Sequence, residues 1–136
     1  MTRRLISALI LLAAAARAGD RVSAVVEAND PHGTLLRYGE QRVLVVRGSP
    51  RERGRAHGRL LADAVRANAR AFLDEWAIGR MGRTREELRA IRDALAPHVP
   101  AWIREELAGL AEGSGVPPED LELLHAIPSR YHCTGT

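Results

Sequence analysis

Apolar positions change period along this chain. Thr34 to Tyr38 and Gln41 to Val46 are two runs rich in β-forming residues, parted by Gly39-Glu40. A glycine in a two-residue linker supplies the positive φ that tight hairpin turns need, so the pair predicts a β-hairpin. Val43-Leu44-Val45-Val46 does not alternate, and a run that is apolar on both faces predicts a strand buried on both, in a sheet larger than one hairpin. Upstream, Val22 to Ala28 is a short apolar stretch that leads into the turn cluster Asn29-Asp30-Pro31-His32-Gly33.

From Gly48 onward the spacing becomes helical. Ser49, Pro50 and Glu52 form an S-x-x-E capping box with proline at the first helical position. Leu60, Leu61, Ala64, Val65, Phe72, Leu73 and Trp76 then recur at helical intervals. Gly54 and Gly58 fall four apart on one face. Each costs a helix roughly 1 kcal/mol relative to alanine, so two need a reason. Either the backbone closely approaches a strand or another helix, or the first turn is loop and the helix starts near Arg55. Gly79 and Gly82 break the pattern. Thr84 and Glu87 open a second helix with the stripe Leu88, Ile91, Leu95. Pro97 and Pro100 lead to a third, with Trp102, Ile103, Leu107 and Leu110 facing inward, ended by Gly113-Ser114-Gly115. Pro117-Pro118 opens a short fourth helix, with Leu121 and Leu124 inward, which Ile127-Pro128 closes. The expected fold is therefore α+β and mostly helical, an N-terminal β-hairpin followed by about four helices.

The first residues change the picture of charge. Arg3 and Arg4 precede an uncharged apolar run, Leu5 to Ala16, and Ala16-Arg17-Ala18 has the form of a signal-peptidase site. Residues 1–18 are thus expected to be a signal peptide, and the protein to be exported to the periplasm or beyond. The apolar run is shorter than the roughly 20 residues that span a bilayer, and no cysteine follows it, so no stable membrane anchor is expected. All 20 basic residues are arginine. Arg3, Arg4 and Arg17 leave with the signal and no acid does, so 17 arginines remain against 17 acids. The basic pI belongs mostly to the signal. Arginine and glutamate are interspersed along the helices as on solvated faces, which speaks against a nucleic-acid partner.

Candidate chemistry is concentrated at the end of the chain. Cys133 is the only cysteine, flanked by His132, Thr134 and Gly135. It has no internal disulfide partner. A free cysteine is often a small buried apolar residue. This one sits in a polar, flexible setting after the last helix, where a leftover cysteine of an exported protein is equally a reactive thiol or one half of an intermolecular bridge. His57 lies near a helix start with no partner spaced for zinc. His32, His98 and His125 are isolated. Glu105, Glu106 and Glu112 read as a solvated helix face. No CxxC, HExxH or phosphate-binding glycine loop is present, so neither a metal nor a cofactor is expected.

Three segments carry a resemblance. Gly48-Ser49-Pro50-Arg51-Glu52-Arg53-Gly54-Arg55-Ala56-His57-Gly58-Arg59-Leu60-Leu61, then Glu105 to Gly115, then Asp120-Leu121 and the closing His132-Cys133-Thr134-Gly135, stand in the order of the acyl-coenzyme A:6-aminopenicillanic acid acyltransferase family. The chain resembles that family over residues 33–136. The resemblance implies a cysteine-type N-terminal-nucleophile (Ntn) hydrolase, hence an incomplete αββα fold. It divides the chain into residues 19–132, a small-subunit or pro-segment-like region, and residues 133–136, the start of a truncated catalytic subunit. The thiol of Cys133 would attack the carbonyl of His132, and hydrolysis of the thioester would free the α-amine of Cys133. An α-amine has a pKa of roughly 7.7–8.0, so near neutrality it can take the thiol proton. The implied substrate is a small-molecule acyl donor, amide or thioester. Oxyanion donors in this family come from the large subunit, so the missing large subunit of the same precursor is the implied partner, and the chain as it stands is expected to be inactive. The rival expectation is a small exported helical interaction protein with no catalytic role.

Overall fold

The computed structural model describes residues 23–127. They form an α+β unit, mostly helical. A three-stranded antiparallel meander, β1 (Val25–Asp30), β2 (Gly33–Tyr38) and β3 (Gln41–Val46), is followed by five α-helices. The Gly39-Glu40 turn joins Tyr38 to Gln41 across the hairpin, and Gly39 takes φ +57°, as its place in the sequence required. The expected two-stranded hairpin gains a third strand. β1 pairs with β2 from Val25↔Arg37 to Asp30↔Gly33, with a bulge between Val26 and Ala28. Its turn is fastened by Asp30 Oδ1, which accepts from the His32 amide at 3.0 Å.

One face of the sheet lies on the first helix, α1 (Pro50–Leu60). Leu35 is 2% exposed there, and a Cβ built on Gly33 would meet Leu60 Cδ1 at 3.0 Å and Ala56 Cβ at 3.2 Å. The opposite face carries no cover among the described residues. Val43 is 39% and Val45 51% exposed, so the expectation that β3 is buried on both faces is not met here. Side chains alternate across a strand, and only the Leu35 side has a helix against it.

The sequence pattern ran the first helix continuously to Trp76. The chain instead breaks at Leu61 (φ −125°, ψ 29°), so α1 ends at Leu60 and α2 (Ala62–Ala69) begins a new direction, passing into a π-helical stretch at Arg70–Arg80. That break turns Phe72 outward, 54% exposed, while Val65, Leu73 and Ala77 are buried. Next come α3 (Arg85–Leu95), a 3₁₀ turn at Ala96–His98, α4 (Ala101–Ser114) and α5 (Pro118–Ala126). Both predicted capping boxes form: Glu52 accepts from the Ser49 amide at 2.8 Å, and Glu87 from that of Thr84 at 3.0 Å. Gly115 ends α4 in the left-handed region at φ +74°, where glycine carries no Cβ penalty.

The core has two lobes. Val65, Ala69, Ala111, Val116 and Leu121 make one; Leu73, Ala77, Leu88, Leu123 and Ile127 make the other. α5 serves both, through Leu121 and the fully buried Leu123. Trp102, expected to face inward, is 52% exposed, because the buried side of α4 is set by glycines rather than by its largest residue.

Candidate functional site

Among the described residues, the most extensive contact between two elements is that of α1 with α4. The helices run in the same direction, with Gly54 against Glu106 to Leu110 and Gly58 against Leu110 to Ser114. A Cβ on Gly54 would overlap the Glu106 carbonyl oxygen, and one on Gly58 would stand 2.6 Å from that of Leu110. The contact is reciprocal. A Cβ on Gly109 would overlap the carbonyl of Arg51, and one on Gly113 that of Arg55. Backbone therefore lies on backbone, with two glycines four apart from each helix. Of the two explanations open for Gly54 and Gly58, close helix approach is the one realised. Gly109 and Gly113 carry the same i, i+4 signature in the sequence and were the missed half of the pair.

Charges flank this seam. Glu112 accepts from Arg51 Nε at 2.8 Å and from Arg55 Nε at 2.9 Å, while Arg53 Nη2 reaches Glu106 at 2.8 Å. The Arg51 hydrogen bond first, and that from Arg55 next, hold the Glu112 carboxyl below its ordinary pKa. Glu106 and Glu112 are thus engaged across the helix pair rather than merely solvated; each bonds an arginine of α1. Arg59 Nη1 meets Asp30 Oδ2 at 3.2 Å and ties α1 to the β1–β2 turn. The Asp30 carboxyl is lowered chiefly by the His32 amide; burial opposes and Arg59 assists. His57 is half-buried on α1. Burial pushes it below the ordinary histidine value, and the Glu106 carboxylate pulls against that.

At the other end, α3 and α5 are laced by arginine–carboxylate pairs. Arg85 Nη1 donates to Asp120 at 2.6 Å, and Arg89 grips Glu119 with Nε at 2.9 Å and Nη2 at 3.0 Å. Ile127, 7% exposed, anchors the end of α5 in the second lobe of the core. His132 and Cys133 follow it in sequence and lie outside the described residues, as does the signal-like segment 1–18.

The arrangement as described is architectural. Its carboxylates are neutralised by arginine, and among the described residues no group of three or more His, Cys, Asp or Glu is placed to hold a metal ion. No described helix is long and apolar enough to cross a membrane. The chain matches no family model, no curated protein and no solved structure.

Proposed function

We propose that this chain is the N-terminal part of an exported, self-processing cysteine acyltransferase or amidohydrolase that acts on amide or thioester bonds, with Cys133 as nucleophile. The observation that carries this reading is a coincidence of sequence and packing. Two of the segments that bear the family resemblance, residues 48–61 and 105–115, become α1 and α4, and their four glycines interlock. A glycine pair on each of two helices, 55 residues apart from Gly54 to Gly109 and from Gly58 to Gly113, is costly unless both belong to one unit, and in the sequence that unit is followed by α5 and then by Cys133.

In this mechanism the Cys133 thiol adds to the His132 carbonyl and the peptide nitrogen departs as the α-amine of Cys133. Water then hydrolyses the thioester, and the freed amine serves as base for later acyl transfers. The partner is the large subunit of the same precursor. Intact-mass measurement on a precursor extended beyond Thr136 tests this. Two pieces split between His132 and Cys133 are expected from the native sequence and one piece from Cys133→Ala. An unsplit precursor that nonetheless turns over substrate defeats the proposal.

The rival, an interaction protein without catalysis, draws support from the open face of the sheet. Val26, Thr34, Leu36, Tyr38, Gln41, Val43 and Val45 share that face by register, and none is charged. The same mass experiment separates the two, because an interaction protein has no cleavage for Cys133→Ala to abolish.

A further inference from the structure

A cleft of about 440 Å³ opens between α3, the 3₁₀ turn, α4 and α5, on ground the nucleophile reading does not use. Its size falls within the roughly 300–1,000 Å³ of small-molecule sites. Its apolar lining is supplied by Ile103 and Leu107 of α4 together with Leu95, Val99, Pro118 and Ala126. Four charged or titratable groups besides Arg104 border it: Arg92, Glu122, His98 and His125. Arg92 is spent, since Nη1 donates to Glu122 at 3.2 Å and Nε to Asp93 at 2.9 Å. His125 Nδ1 is spent on the Leu121 carbonyl at 2.8 Å.

Arg104 differs. Its Nη1 donates to the Val99 carbonyl at 2.7 Å and, at 3.4 Å, to that of Ala96, which fixes the guanidinium at the edge of the cleft. Among the described residues it has no carboxylate partner, in a chain whose other cleft arginine has several. Nε and Nη2 remain, and a planar guanidinium offers paired donors suited to a carboxylate. An apolar trough with one fixed, acid-free arginine matches an apolar body ending in a single negative group.

We propose that this cleft binds amphiphilic carboxylates, with the apolar tail on Ile103 and Leu107 and the carboxylate on Arg104. The proposal makes no use of Cys133, and loss of decanoate binding would leave the nucleophile reading untouched.

Titration of the full chain with decanoate, followed calorimetrically, tests it. Saturable one-to-one binding is expected, with 1-decanol at least tenfold weaker. Arg104→Gln should weaken decanoate at least tenfold and leave decanol unchanged, and Arg104→Lys, which keeps the charge but loses the paired donors, should weaken decanoate measurably but less than glutamine does. Because Arg104 also bonds backbone carbonyls, both variants are compared at equal helicity, and the lysine variant serves if glutamine unfolds the turn. Equal affinity for acid and alcohol, or no saturable binding, overturns the proposal. So does decanoate that speeds alkylation of Cys133, which would make the closing segment the native occupant. Decanoate that dissociates a dimer would assign the cleft to a second copy, and overturns it equally.

Discussion

Replacing Gly54 by alanine sets two effects of opposite sign against each other. Helix propensity alone makes the change stabilising by about 1 kcal/mol, since alanine is the better helix former. The packing of α1 on α4 makes it destabilising. The new methyl group would overlap the Glu106 carbonyl oxygen and would stand 2.9 Å from the Leu110 nitrogen, and both are backbone, so no side chain can swing aside. Overpacking against well-packed surroundings costs about 1–3 kcal/mol, and immovable neighbours put this site at the upper end. The difference is a net loss of about 2 kcal/mol. Urea unfolding at constant m-value measures it, and the melting temperature should fall by on the order of 10 °C or somewhat less. Gly79→Ala is the internal control. Its nearest neighbour is the Asp74 carbonyl oxygen at 3.1 Å, a tight contact that works against the propensity gain of about 1 kcal/mol, so the change should stay within about 1 kcal/mol of neutral. The double variant Gly54→Ala, Gly109→Ala should lose less than the sum of its parts, because the first methyl group already separates the helices that the second would push apart. A neutral or stabilised Gly54→Ala would refute the backbone contact and leave the glycines unexplained.

Other consequences can be measured on the same protein. Ser49→Ala removes one side of a formed capping box and should cost about 1 kcal/mol by urea unfolding; no loss would mean that α1 frays there in solution. His57 has a lowered pKa in the folded chain, so its neutral form favours folding: stability should be full above the ordinary histidine value near 6.5 and fall as the pH drops through the lowered value. His57→Gln should flatten the part of the pH–stability curve just below 6.5, and an unchanged slope would count against burial of the ring. Val45→Thr, on the open sheet face, should change stability by under about 0.5 kcal/mol. A loss above about 1.5 kcal/mol would mean that something covers this face in solution.

Local chemistry explains what was legible beforehand. Ser49 with Glu52, and Thr84 with Glu87, specify helix starts through bonds among four consecutive residues, so no distant contact is needed to find them. Gly39 likewise specifies its turn by conformational freedom alone. Phe72 and Trp102 show the opposite case. Helical spacing marks them as inward, yet the break at Leu61 and the glycine face of α4 leave them exposed. β3 is a third kind of case, for its double-faced apolar run is compatible with burial on both sides, but among the described residues only α1 is present to cover one.

Local sequence sufficed for the β2–β3 hairpin and its turn, for the helix caps at Ser49 and Thr84, and for a lone cysteine in a polar setting; it did not give β1 its strand or α1 its end at Leu60. Only the folded chain brings Gly54 and Gly58 against the α4 segment that carries Gly109 and Gly113, bonds Glu106 and Glu112 to the arginines of α1, and leaves Arg104 at the cleft with no carboxylate partner among the described residues. The reason is range. Caps and turns are settled by a few neighbouring dihedral angles, whereas a helix–helix seam depends on the direction the chain takes after residues such as Leu61, which no local preference encodes.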